Sequence, residues 1–230
     1  MAVFETIRVK AGHLEFLEEH LMRLQVAAAR CGFGVPEGAL QKVEALFSQV
    51  VQEGVARLYV TAGDGAPSDE VTQCRVAGVL EERRRLLPDG YAVTLVKAPH
   101  VPPFGGLKTA NYWMNAESLR QAKVEGAQEG LLFNPDGFLV GACMANVFLR
   151  TPEGWATPCL ESGARDGVGR AWVLARFRAK ERLLRRNEVA AAQEMFLSSS
   201  WLGVMPAHQC AGRPLTVTAE VLQLREAWGG

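Results

Sequence analysis

The sequence predicts an α+β chain folded as two successive halves, and three observations carry that expectation. The first hundred residues order one strand, two amphipathic helices and three further strands, unlike the strict alternation of a doubly wound sheet. Residues 99–106 hold three prolines and two glycines, the composition of a linker or loop. Beyond them the pattern restarts with a helix and a dense series of short strands. The expected halves are therefore 1–100 and 108–230, joined by an interdomain loop at 101–107.

The first strand runs from Val3 to Val9, with Val3, Phe4, Ile7 and Val9 as its apolar content. After a turn at Gly12, a helix is expected from Leu14 to Cys31. Leu14, Leu17, Leu21, Leu24 and Ala28 recur there at three- and four-residue spacing and form one buried stripe. Gly32 and Gly34 stop it. Pro36 suits the first turn of a second helix reaching Glu53, with Leu40, Val43, Phe47 and Val50 inward. Strands follow at Arg57–Thr61, Thr72–Leu80 and Tyr91–Lys97, separated by the turn signals Gly63-Asp64-Gly65 and Pro88-Asp89-Gly90.

In the second half a helix is expected over Asn111–Glu125. Short strands are expected at Gly130–Phe133, Gly137–Val140, Asn146–Arg150 and Gly154–Thr157. A helix capped by Asp166, a strand at Glu194–Ser198 and a helix over Thr218–Trp228 complete the chain. The basic run Arg176–Arg186 reads as the solvated face of a helix and its exit turn.

Composition excludes several functions. Lys plus Arg and Asp plus Glu number 25 each, so no net field draws nucleic acid or an anionic membrane. No apolar run approaches the roughly 20 residues that span a bilayer, and the N-terminal strand, with Glu5 inside it, lacks the pattern of a signal peptide. The five cysteines are scattered without a C-x-x-C pair, and H-E-x-x-H is absent, so neither a disulfide framework nor a metal site is expected. Reduced thiols fit the cytoplasm.

The hydrolytic and nucleotide motifs fail as well. There is no G-x-S-x-G. In Gly105-Gly106-Leu107-Lys108-Thr109, Leu107 separates the glycine from the lysine, and Pro102-Pro103 stands where a P-loop needs an apolar strand. Lys108 is left as the residue of interest, because a desolvated lysine beside a cleft can act as nucleophile or base.

Motifs in order around it sharpen that reading. Phe4-Glu5-Thr6-Ile7-Arg8 and His20-Leu21-Met22-Arg23-Leu24 come first, then Leu107-Lys108-Thr109-Ala110-Asn111-Tyr112 and Gln128-Glu129-Gly130-Leu131-Leu132. Asn146-Val147-Phe148, Gly163 to Arg170, Phe196 to Ser200, Val204-Met205-Pro206 and Gly212-Arg213 follow. The series resembles the fold-type IV pyridoxal-phosphate enzymes, which include aminodeoxychorismate lyases and branched-chain and D-amino-acid aminotransferases. The resemblance implies a small α/β domain followed by a larger pseudo-barrel α/β domain, a homodimer, and pyridoxal 5′-phosphate acting on a small-molecule amine.

It also implies roles for single residues. Lys108 carries the cofactor as a Schiff base, Arg23 reaches its phosphate, and Tyr112 donates to its phenolic oxygen. Val168 and Gly169 open a phosphate-binding helix, with Ser199 and Ser200 as donors on the other side. Two departures stand out. Gly141 occupies the position where family members carry the glutamate that keeps the pyridine nitrogen protonated, and Glu129 is a poor substitute because the family has an acid there too. Arg165-Asp166 replaces the usual Leu-Pro ahead of the phosphate-binding glycine. Family members also carry a further segment ahead of the Phe4–Arg8 strand.

Within the family, the Ala142-Cys143-Met144-Ala145-Asn146 run is closer to the lyases, which form 4-aminobenzoate and pyruvate for folate biosynthesis. A branched-chain or D-amino-acid aminotransferase is the alternative, and a degenerate site without turnover the competing class.

Overall fold

Alternation along the first strand, β1 (Ala2–Lys10), turns Val3, Glu5, Ile7 and Val9 to one face and Phe4, Thr6 and Arg8 to the other. The computed structural model describes residues 1–38, 41, 45, 47, 53–64, 71, 73–82 and 88–229. Its chain divides into two units, Met1–Leu86 with Leu107–Asn111, and Leu87–Gly106 with Tyr112–Gly230.

In the first unit β1 is flanked by β2 (His13–Leu14) and β3 (Glu53–Thr61), and β3 pairs with β4 (Arg75–Glu82), all antiparallel. The helix α1 (Leu17–Arg30) packs its stripe of Leu24, Ala27 and Ala28 on Val3, Ile7 and Val9 of β1 and on Ala56, Leu58 and Val60 of β3. Side chains of this kind stabilise by about 1.5–3 kcal/mol each when fully buried. Phe4 lies opposite Tyr59 in the β1–β3 register and stacks on it at 5.5 Å. The expected helix over 36–53 lies largely outside the described residues.

The second unit is a nine-stranded mixed sheet. Its strands are β5 (Tyr91–Leu95), β6 (Glu129–Phe133), β7 (Leu139–Ala142), β8 (Asn146–Thr151), β9 (Gly154–Pro158), β10 (Ala179–Arg182), β11 (Met195–Ser199), β12 (Gly203–Cys210) and β13 (Arg213–Pro214). The order is β10-β9-β8-β11-β12-β5-β6-β7, with β13 beside β12. Helices are few and short: α2 (Trp113–Val124), α3 (Val168–Leu174), α4 (Arg186–Ala191) and α5 (Ala219–Ala227). Phe148 and Phe196 face each other across β8 and β11 and stack at 4.8 Å, with Phe177 edge-on and Trp155 tilted against Phe196.

Three features differ from the sequence expectations. The division falls ahead of β5, because β5 pairs with β12 and β6 of the second unit, whereas residues 107–111 hydrogen-bond to β1 of the first. The basic run Arg176–Arg186 contains a strand, β10, parallel to β9, because alternation and pairing with Trp155–Pro158 override its charge. Residues 203–210 form a long strand that the interrupting Pro206 concealed.

One buried acid ties β6 to the turn after β7. Ala142 N–H donates to Ala145 O at 2.8 Å and Cys143 N–H to Gly130 O at 3.0 Å, which folds the turn back over β6. Met144 N–H reaches Glu129 Oε2 at 3.3 Å. Burial pushes the Glu129 carboxyl up to about 8, against the lowering effect of the amides of Met144, Gly130 and Cys143.

A raised carboxyl is neutral in the folded chain and ionised in the unfolded one between pH 4.5 and about 8, so its contribution falls as pH rises through that window. Denaturant unfolding of wild type and Glu129→Gln will therefore diverge, with wild type losing stability relative to the variant from pH 5 to pH 8.5. A constant difference would show that Glu129 keeps its ordinary acidity. A second test concerns Gly203, whose φ is 65° and whose added Cβ would lie 2.4 Å from Trp228 Cδ1. Gly203→Ala should cost about 2–4 kcal/mol in urea unfolding, against about 1 kcal/mol for Gly212→Ala, which shares the positive φ but meets open space.

Candidate active site

Lys108 sits in a segment with no regular structure, yet its backbone is fixed. Its carbonyl accepts Phe4 N–H at 2.9 Å, Ala110 N–H donates to Ala2 O at 2.8 Å, and Thr109 bridges to Val3. The half-buried ammonium lies 4.0 Å from the centroid of the Phe4 ring, the ring that stacks on Tyr59. Such a cation–ring contact holds a lysine by about 0.5–2 kcal/mol.

On the opposite face of β1, Glu5 is buried among the apolar residues that meet α1. A lone carboxylate there would be costly. Arg23 of α1 supplies a fork, Nε to Oε1 at 2.7 Å and Nη2 to Oε2 at 2.6 Å, and His20 Nδ1 lies 2.8 Å from Oε2. Burial raises the Glu5 carboxyl, but the charge of Arg23 and the bonds from His20 and Arg23 outweigh it and bring it to about 2. Burial, with the charges of Arg23 and Lys108, holds His20 below its ordinary value. It is therefore a neutral ring whose Nδ1–H donates to the carboxylate. Arg23, the residue expected at the phosphate, is thus oriented by Glu5 and remains one-fifth exposed.

The second unit gathers Val168, Gly169 and Ser199. A Cβ on Gly169 would come within 3.1 Å of the Ser199 backbone, so glycine lets the first turn of α3 lie against the end of β11 without displacing it. The Ser199 hydroxyl accepts Leu202 N–H at 3.1 Å, and Ser200 is half-buried beside it. Buried Arg170 anchors the helix, donating to Pro158 O at 3.0 Å and to Glu181 at 2.6 Å. The expected cap, Asp166, is exposed and 4.0 Å from Arg170. Gly167 takes the cap position instead, where a Cβ would strike Asn146 Oδ1 at 2.0 Å.

Tyr112 caps α2, and its hydroxyl accepts Arg165 Nη1–H at 2.6 Å, with the guanidinium 5.2 Å from the ring centroid. Gly141 pairs with Leu132 across β6 and β7, so this position presents no acid, and the Glu129 carboxyl is engaged by the turn amides. Among the described residues no cluster of His, Cys, Asp and Glu is placed to hold a metal, and no helix is long and apolar enough to cross a membrane.

Sequence reasoning missed roles for Glu5, Asn146, Arg165 and Ser198. Glu5 had a signal, an acid at the centre of the 3-5-7-9 apolar face. Ser198 Oγ is fully buried with no hydrogen-bond partner among the described residues, and nothing in the sequence marks it.

The sequence profile of the amino-transferase class IV family matches residues 2–210. A bifunctional aminodeoxychorismate lyase / D-amino acid transaminase of Mycobacterium tuberculosis is 28% identical over 95% of this chain and 86% of its own length. A chloroplastic D-amino-acid transaminase of Arabidopsis thaliana is 28% identical over 63% of this chain, an alignment that spans only 41% of the plant protein. In structure, the branched-chain aminotransferase of Thermoproteus uzoniensis superposes with a TM-score of 0.88 at 21% identity, covering 99% of this chain and 84% of that one. The chain thus belongs to the class IV aminotransferases, a family of enzymes that work with pyridoxal phosphate.

Proposed function

We propose that this enzyme is a lyase converting aminodeoxychorismate into 4-aminobenzoate and pyruvate, with pyridoxal 5′-phosphate held through Lys108. The observation that carries the choice of lyase is Gly141, which offers the cofactor's pyridine nitrogen no carboxylate. Glu129 does not replace it, because its carboxyl is protonated near neutral pH and bonded to the turn.

The residues present fit the cofactor's other groups. Lys108 has a fixed backbone, and its ammonium is held against the Phe4 ring. Gly169 and Ser199 bring a helix start and a strand end together, and Ser198 adds a buried hydroxyl with no partner among the described residues, a donor set suited to an oxyanion. The proposed holders are Lys108, Arg23, Tyr112, Val168, Gly169, Ser199 and Ser200. Bound there, the cofactor supplies an electron sink.

Lys108 Nζ then takes the proton from the carbon bearing the substrate amine and returns one to the departing enolpyruvate carbon. Loss of the ring's carbon–oxygen bond leaves an aromatic product, a driving force of its own that tolerates a weak electron sink. Amino transfer demands a longer-lived carbanion and suffers more from the missing acid. The bifunctional relative keeps transamination as the second reading.

The same proposal includes a cytoplasmic homodimer. All five cysteines are free thiols, as in a reducing compartment. Val101, Phe104, Trp113 and Met114 of the second unit are 72, 61, 78 and 50% exposed, a concentration of apolar surface suited to a second copy.

Purified enzyme given aminodeoxychorismate should release 4-aminobenzoate and pyruvate. Amino transfer to 2-oxoglutarate without 4-aminobenzoate would replace the lyase by the transaminase. Borohydride should fix the cofactor to wild type and not to Lys108→Ala, whose turnover should fall at least about 10³-fold. A protein that takes up no pyridoxal phosphate would overturn the whole reading. Light scattering should give twice the chain mass of 25.0 kDa, and Trp113→Glu should shift it towards one chain.

A further inference from the structure

We infer that Arg165 is the substrate-recognition residue of the second unit, binding a carboxylate of the substrate; the inference rests on the lyase reading above. Arg165 is half-buried, and the polar partner of its side chain among the described residues is the hydroxyl of Tyr112. No carboxylate among the described residues pairs with it, and its Nε is buried without a partner.

The other partly or fully buried arginines of this unit are compensated. Arg170 pairs with Glu181 and Arg182 with Glu153, while Arg186, Arg213 and Arg225 donate to the carbonyls of Val96, Ala190 and Pro88. Among the described residues Arg165 has neither acid nor carbonyl. Its charge is felt nearby: burial, with the positive field of Arg165, holds His100 below its ordinary value. A guanidinium that is partly desolvated and uncompensated is a site for an oxyanion, which its remaining N–H groups can grip in a fork.

The backbone that presents Arg165 is fixed from three sides, as a recognition residue requires. Asn146 Nδ2 donates to Arg165 O at 2.8 Å, and Asn134 Nδ2 to Ser162 O at 3.0 Å. The Pro/Gly loop packs against the same segment: a Cβ on Gly106 would fall 2.7 Å from the carbonyl oxygens of Gly163 and Ala164, and one on Gly163 would fall 2.5 Å from Pro102 Cγ. Both glycines have φ near 90°, so the close approach needs glycine for space and for backbone conformation alike. The Tyr112 hydroxyl steadies the guanidinium while leaving its charge unopposed.

Two oxyanion sources share this chemistry, the substrate's carboxylates and the cofactor's phosphate, and the test separates them. Wild type, Arg165→Ala and Arg165→Lys are titrated with pyridoxal phosphate, with 4-aminobenzoate, with 4-aminobenzamide and with pyruvate, by calorimetry. KM and kcat for aminodeoxychorismate are measured in parallel. The expected result is unchanged cofactor affinity, with 4-aminobenzoate or pyruvate bound about 10- to 100-fold more weakly by Arg165→Ala. KM should rise by a similar factor, with Arg165→Lys in between. If the ring carboxylate is the one bound, 4-aminobenzamide should bind both proteins alike.

Loss of pyridoxal-phosphate affinity with carboxylate binding intact would overturn the proposal and assign the cation to the phosphate. Equal carboxylate affinity in wild type and Arg165→Ala would also overturn it. The binding arms need no turnover, so an inactive wild type that binds either carboxylate through Arg165 would sink the lyase reading and leave this one standing.

Discussion

Residues 107–111 have no regular structure of their own, yet the two backbone hydrogen bonds of the Val3–Thr109 bridge hold them in register with β1. That constraint is what makes Lys108 more than a loop lysine. A flexible segment would lose most of the benefit of a reactive amine to the entropy of placing it. Here the ordering is supplied by the first strand, and β1 is in turn held by β3 along its whole length and by α1 on one face. The Phe4 ring then fixes the direction of the side chain, and Tyr59 fixes the ring.

Two buried acids meet opposite fates, and the difference lies in their partners. Glu5 has a guanidinium fork and a histidine, so it stays ionised in an apolar interface and orients Arg23. Glu129 is met by backbone amides and by the weaker pull of Lys123, so burial wins, and it stays protonated near neutral pH and serves the turn that precedes β8. A cation within bonding distance decides which of the two a buried carboxyl becomes. The same rule read in reverse gives Arg165 its interest, as a cation that no acid among the described residues pairs with.

The element order was largely legible, because β1, α1, α2 and the strands from β6 to β9 carry clean apolar periodicity. The strands that escaped are instructive. Charge on Arg178 to Arg182 and proline at position 206 both argue against strand, and both are overridden by pairing with neighbours remote in sequence. The candidate lysine and the glycine at 141 were visible through ordered motifs. The roles of Asn146 and Arg165 were not, because each depends on a contact across the fold: Asn146 against Gly167, and Arg165 against Tyr112. The division of the chain was likewise hidden, since no local pattern tells β5 to pair with β12 or residues 107–111 to return to β1.

That pairing of β5 with β12 bears on how the protein is made. β5 stands between β12 and β6 in the sheet, and its β12 neighbour, which begins at Gly203, leaves the ribosome long after Leu95. Until then one edge of an apolar strand waits unpaired, and the sheet cannot close on the order in which its parts are synthesised. Non-local parallel closure is slow, so the nascent chain spends its most aggregation-exposed interval with Tyr91–Leu95 available to other chains. Chaperone dependence, rather than marginal stability of the finished fold, is where this topology would limit its yield in the cell.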